Sequence, residues 1–410
     1  MRIDFSPPDI SEADIQAVSD ALRSGWITTG PRAKALEADL AGFCATSRVA
    51  CLSSATAALE CVLRLLGVGP GDEVVTSAYT YTASASPIVH VGARPVLVDV
   101  PPGSYHMAAA ELAAAVNERT KAVIAVDIAG VMCDYDALAA ALAVPEVAAR
   151  YRPQPGTLQT VFGSLPLIAD GAHSLGASYK GRASGSVADF TAFSFHAVKN
   201  LTSAEGGALT WRAGRLDDDE FYQQVMLYSL HGQSKDALSK ASLGSWEYDV
   251  LAPLYKCNMT DMAAALAASQ LARYPELLAR RQQLITAYRD GLVSAARAGG
   301  YQLDILEHNG ANFCSSGHLL LVRLLGRDEA FRNRVIEALA ARGVAANVHY
   351  KPLPLLTAYR NLGFDIRDFP QAYAQYQNEV SLPLHTRLTD AEVQYVCDCF
   401  AEAYAELSEP

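Results

Sequence analysis

Between Arg48 and Val126 the chain alternates short apolar runs with helix-period stretches, and that alternation allows few folds. Arg48-Val49-Ala50-Cys51-Leu52 reads as a strand, as do the residues after the Gly69-Pro70-Gly71 turn, Gly92 to Val100, and Lys121 to Val126. Leu59, Val62, Leu63 and Leu66 recur at the spacing of a single helix face. Strands without polar alternation are covered on both sides, and strands separated by helices pair in parallel. The expectation is an α/β chain with a mostly parallel sheet flanked by helices.

Two later stretches add chemistry to that frame. Leu167-Ile168-Ala169-Asp170 ends an apolar strand on a carboxylate, at the position where open α/β sheets hold ligands. Phe190 to Phe195 forms another apolar run, breaks into small and polar residues around Lys199, and resumes as a strand at Gly206 to Trp211. A lysine between two buried strands loses solvation, its pKa falls, and the neutral amine becomes a nucleophile. Such an amine and a strand-end acid suit pyridoxal phosphate. Lys199 would form an imine with its aldehyde, and Asp170 would keep the pyridine nitrogen protonated so that the ring accepts electrons.

With these stretches in place the chain resembles the DegT/DnrJ/EryC1/StrS family of sugar aminotransferases, from about Gly25 to about Pro383. The resemblance implies a fold-type-I transferase with a seven-stranded, mostly parallel sheet and a smaller α+β C-terminal domain. We expect the division at 1–255 and 256–410. Ser53-Ser54-Ala55-Thr56 lies at a strand-to-helix junction, where backbone N–H groups attract an anion. In the family this junction binds the cofactor phosphate, so Ala55 and Thr56 take that part, with Ser194 as a further phosphate ligand. Tyr81 falls where the family keeps an aromatic that stacks on the pyridine ring, while Tyr79 is read as a core residue. His173 falls where a glutamine or histidine lies beside the cofactor. Asp127 stands where relatives usually have histidine, and no role is assigned to it.

Substrate contacts are implied for Thr28 in Gly25-Trp26-Ile27-Thr28-Thr29-Gly30-Pro31, for His231, and for His349 and Tyr350 in Val348-His349-Tyr350-Lys351-Pro352-Leu353. The motif Tyr255-Lys256-Cys257-Asn258 departs from the Gly-Tyr-Asn-Tyr-Arg of many relatives. By resemblance this segment crosses a homodimer interface with shared active sites. Asn258 would meet the other subunit's phosphate and Lys256 the substrate, although either side chain can donate to a phosphate. The substrate's diphosphate needs cationic contacts, for which Lys256, Lys351 and Arg32 are candidates.

The activity implied is transfer of an amino group from L-glutamate to a nucleotide-linked keto-sugar. Amination of a non-nucleotide ketone such as an inosose, or a non-catalytic regulator that binds pyridoxal phosphate, are the alternatives. Some relatives are dehydratases with histidine in place of the lysine, and Lys199 speaks against that chemistry. A net charge of −11 argues against nucleic acid and acidic membranes as partners. The eight cysteines are scattered, without the spacing of a metal site or a disulfide framework. Neither a membrane span nor the apolar core of a signal peptide is evident, so a reducing cytoplasm is the expected home.

Helix signals at the two ends are explicit. Ser11-Glu12-Ala13-Asp14 has the form of a capping box, and Thr389 with Glu392 caps a last helix that buries Val393, Val396 and Phe400. Asp217-Asp218-Asp219-Glu220 reads as a solvated bend. A helix after Cys257 is expected to share one face among Met259, Met262, Ala263 and Leu266.

Overall fold

A computed structural model describes residues 1–235 and 246–408. Its centre is a seven-stranded sheet built from β1 (Val49–Leu52), β2 (Glu73–Ser77), β3 (Arg94–Val98), β4 (Thr120–Val126), β5 (Leu167–Asp170), β8 (Phe190–Ser194) and β9 (Gly207–Trp211). Two short strands, β6 (Ser178–Tyr179) and β7 (Arg182–Ala183), intervene in sequence. The spatial order is β1-β9-β8-β5-β4-β2-β3, with β9 antiparallel to both its neighbours and the remaining pairs parallel. β1, β2, β4, β5 and β9 are buried at every position, the polar Glu73, Thr76 and Ser77 of β2 included, as a sheet covered on both faces requires.

Helices cover both faces. On one, Leu59, Val62 and Leu63 of helix Ala55–Leu65 pack with Phe190, Trp211 and Phe221, and the Trp211 and Phe221 rings meet edge-on at 4.8 Å. On the other, Tyr135, Leu138 and Leu142 of helix Tyr135–Ala143 pack over Val123, Ala125 and Leu167. This sandwich fixes β4, β5 and β8 in register, so that Val126, Asp170 and Ala192 lie side by side at one sheet end.

The C-terminal part forms its own three-stranded antiparallel sheet. It contains β10 (Leu303–Ile305), β13 (Leu320–Leu324) and β14 (Glu379–Leu382) in the order β10-β13-β14. Helices Tyr274–Gly299, Glu329–Ala341 and Asp390–Ser408 pack around its core of Leu284, Tyr288, Val322, Val335, Val380 and Phe400. Ile3 reaches across to this core. The small pairs β11 (Asn309–Gly310) and β12 (Phe313–Cys314) extend β6 and β7 into a four-stranded sheet.

Two sequence expectations change. The acidic run is not a bend, because Asp217 caps helix Asp218–Ser229, its Oδ1 accepting the Asp219 and Glu220 N–H groups at 3.1 and 2.9 Å. Three acids in the first turn complement the positive end of the helix dipole. The helix Asp261–Ala272 turns a different face inward, burying Ala264, Ala265, Ala267 and Leu271 while Met262, Ala263 and Leu266 stay half-buried. It packs against both Glu12–Arg23 and Pro31–Phe43. Alanines permit that close double contact but carry a weak hydrophobic signal. The capping boxes at Ser11/Asp14 and Thr389/Glu392 both form.

Asp261 ties these helices together. Helix Pro31–Phe43 starts at Gly30, which has no side chain to cap it. Asp261 supplies the cap from a distance, taking the N–H groups of Gly30 and Ala33 at 2.7 and 3.0 Å on one oxygen and that of Arg32 at 3.1 Å on the other. Removing a buried acceptor strands these donors, so Asp261→Ala is expected to cost about 2 kcal/mol or more. A clear fall in thermal midpoint would register it, and an unchanged midpoint would contradict the long-range cap.

Candidate active site

The sheet end that carries Asp170 opens into a cleft of about 350 Å³ lined by Ser54, Ala55, Thr56, Tyr81, Ser194, Lys199 and Tyr350 among others. A narrower extension adds Thr80, Val126 and His173. Asp170 and Lys199 line both parts.

Asp170 is held by donors on both oxygens: the Ser84 hydroxyl at 2.6 Å and the Ala172 N–H at 3.2 Å. Thr80 shares a 2.7 Å hydrogen bond with Ser84 and so steadies that hydroxyl. Burial raises the Asp170 pKa, against the lowering by these hydrogen bonds and by Lys199. A buried acid without a hydrogen-bonded cation is costly in its charged form, and a protonated ring nitrogen would relieve that cost.

Lys199 follows β8 in the tight turn where its own N–H bonds to His196 O at 2.9 Å. Burial brings its pKa down to about 8, partly countered by Asp170. Its Nζ makes no hydrogen bond among the described residues, which leaves a reactive amine facing the cleft.

The phosphate end is equally defined. Ser54 caps helix Ala55–Leu65 by accepting the Ala57 N–H at 3.0 Å, while the Ala55 and Thr56 N–H groups lie in the first turn, where a helix has no acceptors of its own. Gly207 lets β9 pass tightly beneath this turn, since a Cβ there would lie 2.4 Å from Ser54 C and 2.6 Å from Ala55 N. Free amides, a helix N-terminus and the Ser194 hydroxyl fit a phosphate. A carboxylate, an amine and this cradle lining one cleft fit pyridoxal phosphate from ring to phosphate.

His173 sits deeper. Its Nδ1 accepts the Ala129 N–H at 3.2 Å, so the proton of the neutral ring is on Nε2, 3.0 Å from the Tyr350 hydroxyl. Burial first, then the fields of Lys199 and His349, hold its pKa well below the ordinary value. The Tyr350 oxygen therefore accepts from His173 and keeps its own proton for the cleft. Tyr81 tilts toward Tyr350 at 5.7 Å between ring centres and remains 57% exposed, an open aromatic face where a flat ring could stack.

The remaining sequence candidates lie elsewhere. Thr28, His231, Lys256 and Asn258 do not line the cleft but form a second group. Lys256 pairs with Leu230 in a bridge and bonds Asn258, Asn258 bonds Thr29, and Thr28 O accepts the Asp261 N–H at 3.1 Å. His231 is exposed and bonds through its backbone to Tyr255 O at 2.7 Å. His349 is half-buried beside Tyr350. Residues 236–245, which follow His231 closely in the sequence, lie outside the described residues.

Several residues at the site carried no sequence signal. Ser84 sits one helical turn from Thr80, a spacing that only a known site would single out. Tyr79 is buried, as expected, but also donates to His349 O at 2.8 Å and accepts the Tyr350 N–H at 3.0 Å, pinning that pair. Asp127 is buried and takes Ser174 Oγ, the Tyr135 hydroxyl and the Cys133 N–H at 2.7, 2.8 and 3.0 Å. It therefore braces the turn that carries His173, and burial lifts its pKa to about 6. His318 packs on His173 at 4.2 Å between ring centres and shares a 2.9 Å hydrogen bond with Asn200, next to Lys199.

Fold and cleft together define a fold-type-I pyridoxal phosphate enzyme. The chain belongs to the DegT/DnrJ/EryC1/StrS aminotransferase family, whose model matches residues 8–152 and 157–401. It is 34% identical over 398 residues to the spore coat polysaccharide biosynthesis protein SpsC of Bacillus subtilis, covering 96% of this chain and 95% of that one. Among solved structures it is similar to Spr1654 of Streptococcus pneumoniae, assigned provisionally as a sugar aminotransferase. The PLP form of that protein is 48% identical with a TM-score of 0.94 over 100% of both chains. PseC of Helicobacter pylori, an aminotransferase in pseudaminic acid biosynthesis, is 25% identical with a TM-score of 0.85, covering 99% of this chain and 100% of that one. The chain is thus an aminotransferase, and pyridoxal phosphate is its cofactor. No helix among the described residues is long and apolar enough to cross a membrane.

The depressed Lys199 pKa sets a pH dependence. Only the neutral amine attacks an aldehyde, so with a pKa of about 8 the capture of cofactor by apoenzyme should slow steadily as pH falls below that value and level off above it. Stopped-flow absorbance of cofactor uptake measures this, and a rate still rising steeply well above pH 9 would contradict it.

Proposed function

We propose that the enzyme moves an amino group from L-glutamate to a nucleotide-linked keto-sugar, giving an amino sugar and 2-oxoglutarate for cell-surface polysaccharide or secondary-metabolite biosynthesis. The sugar is read as a UDP- or dTDP-4-keto hexose or pentose. The observation that carries the reading is the meeting of Lys199, Asp170 and the Ser54-Ala55-Thr56 turn in one cleft. The relatives' assignments to sugar amination, spore coat polysaccharide and pseudaminic acid point the same way.

When bound, the cofactor supplies an aldehyde that accepts the amino group and a ring that takes up electrons from the carbon losing its proton. With the cofactor bound, Lys199 would hold its aldehyde and, as a free amine, would take and return the proton at the donor's α-carbon. Its pKa near 8 suits it to give and take that proton near neutrality. Asp170 would hold the ring nitrogen protonated. Ala55, Thr56 and Ser194 would hold the phosphate, and Tyr81 and His173 would contact the ring.

We read the second group, Thr28, His231, Lys256 and Asn258, as the part of each subunit that completes the other's cleft in a homodimer. Ile27, Trp246, Leu251 and Tyr255 are large apolar residues left exposed in or near these segments, and Tyr81 and Val198 are exposed in the cleft itself. Asn258 then reaches the neighbouring phosphate, and Lys256 with His349 and Tyr350 faces the substrate.

Lys199→Ala should abolish turnover and the lysine adduct trapped by borohydride reduction. Asp170→Asn should still bind the cofactor yet lose activity by a factor on the order of 10² or more. Amination of a panel of UDP- and dTDP-4-keto sugars with glutamate, followed by mass spectrometry, tests the substrate class. An enzyme that exchanges its amino group with glutamate but aminates none of the panel would overturn the nucleotide-sugar reading.

A further inference from the structure

Glu379 opens β14 in full burial, and no cation hydrogen-bonds its carboxylate. Both of its oxygens nevertheless meet donors. Oε2 accepts the His349 N–H at 2.9 Å, and Oε1 accepts the Ser381 hydroxyl at 2.6 Å. Ser381 Oγ in turn stands 2.8 Å from His349 Nδ1. These three side chains form one unbroken line from a buried acid to an imidazole. The imidazole is itself held in place, stacked on Phe5 at 5.3 Å, while the His349 backbone carbonyl accepts the Tyr79 hydroxyl. Its Nε2 has no hydrogen-bond partner among the described residues, and the adjoining Tyr350 lines the cleft.

A serine hydroxyl has one proton to place, so the line has two self-consistent states. With Glu379 ionised, Ser381 donates to it, His349 Nδ1–H donates to Ser381, and Nε2 is bare. With Glu379 protonated, every donor reverses: Glu379 donates to Ser381, Ser381 to a bare Nδ1, and Nε2 carries the proton.

We propose that Glu379 and Ser381 form a proton wire that works through His349 on the oxygen of the keto substrate. The proposal rests on the keto-sugar reading, because amination of a ketone expels its oxygen as water and that oxygen needs a proton. The His349 Nε2–H bond breaks as an O–H bond forms on the departing oxygen. Nδ1 takes the Ser381 proton, and Ser381 takes the proton of Glu379. One proton leaves and one carboxylate remains, with no imidazolium formed. Rehydration or the reverse reaction runs the wire backwards.

The surroundings suit such an exchange. Burial lifts the Glu379 pKa to about 8, so both states are reachable near neutrality. Tyr79, Tyr105 and Tyr350 face it from the large-domain side and the cleft, and Arg332 from helix Glu329–Ala341. Arg332 donates to the Tyr376 and Glu379 backbone carbonyls, and Arg323, opposite on β13, bonds Asp304 and Asn378. Burial and the Lys199 charge hold the His349 pKa down to about 4, which favours tautomer exchange over protonation.

Nitrogen-15 NMR of histidine-labelled holoenzyme, with His349 assigned by its loss in His349→Asn, reads the tautomer directly. We expect the proton to move from Nε2 to Nδ1 as pH is raised from about 6.5 to about 9.5, and expect that movement to vanish in Glu379→Gln and Ser381→Ala. In single-turnover kinetics, Ser381→Ala should slow the dehydration of the keto acceptor, and the matching hydration that releases 2-oxoglutarate, at least tenfold, while leaving the uptake of cofactor by Lys199 at its wild-type rate. A single tautomer across the range, or hydration and dehydration steps that Ser381→Ala leaves at their wild-type rates, would overturn the wire. The NMR arm needs no sugar, so a failure of the keto-sugar reading shows separately as absent acceptor turnover with the tautomer switch intact.

Discussion

The structure turns on bringing a carboxylate and an amine out of water at the same end of one sheet. Each is unfavourable alone, since burial raises the acid and lowers the base. Around a cofactor that carries a positive ring nitrogen and an electrophilic aldehyde, each would find its partner. The parallel register of β4, β5 and β8 makes this possible, because it sets the strand ends level and lets Asp170 emerge beside the start of the Lys199 turn. Burying these groups costs stability that the aromatic and aliphatic cover on both faces of the sheet must offset.

Much of this was legible in the chain because it depends on order along the sequence. Largely apolar runs separated by helix-period stretches pointed to the sheet, and the strand-end Asp170 and the turn around Lys199 pointed to the cleft where the fold brings them together. What was not legible depends on contacts between distant segments. Ser84, Asp127, His318 and Glu379 are ordinary polar residues until the fold sets them against Asp170, Ser174, His173 and His349. Asp261 is a similar case, an acid in one helix that caps another far upstream. Misreadings arose where local composition was ambiguous: a cluster of acids is a bend or a helix start, and an alanine-rich helix does not announce which face it buries.

The C-terminal part is more than a lid on the large domain. Its Ser316 hydroxyl bonds the His173 carbonyl, and Gly130 allows that approach, since a Cβ at its positive φ of 88° would collide with Ser316 Oγ. Asn200, next to the reactive lysine, bonds both Ser316 O at 2.8 Å and His318. His349 and Tyr350 are pinned by Tyr79 of the large domain. Lysine, histidine and tyrosine are thus positioned from both parts of the chain, and a small displacement of one part would be felt at all three.

The account rests on Asp170 keeping the cofactor's ring nitrogen protonated in a site that excludes water. Nitrogen-15 NMR of holoenzyme reconstituted with cofactor labelled at the pyridine nitrogen reads that directly. A protonated-nitrogen shift that persists well above neutral pH is the expected result. A shift typical of a bare pyridine at neutral pH would mean that the acid and the ring do not meet, and the account would fail.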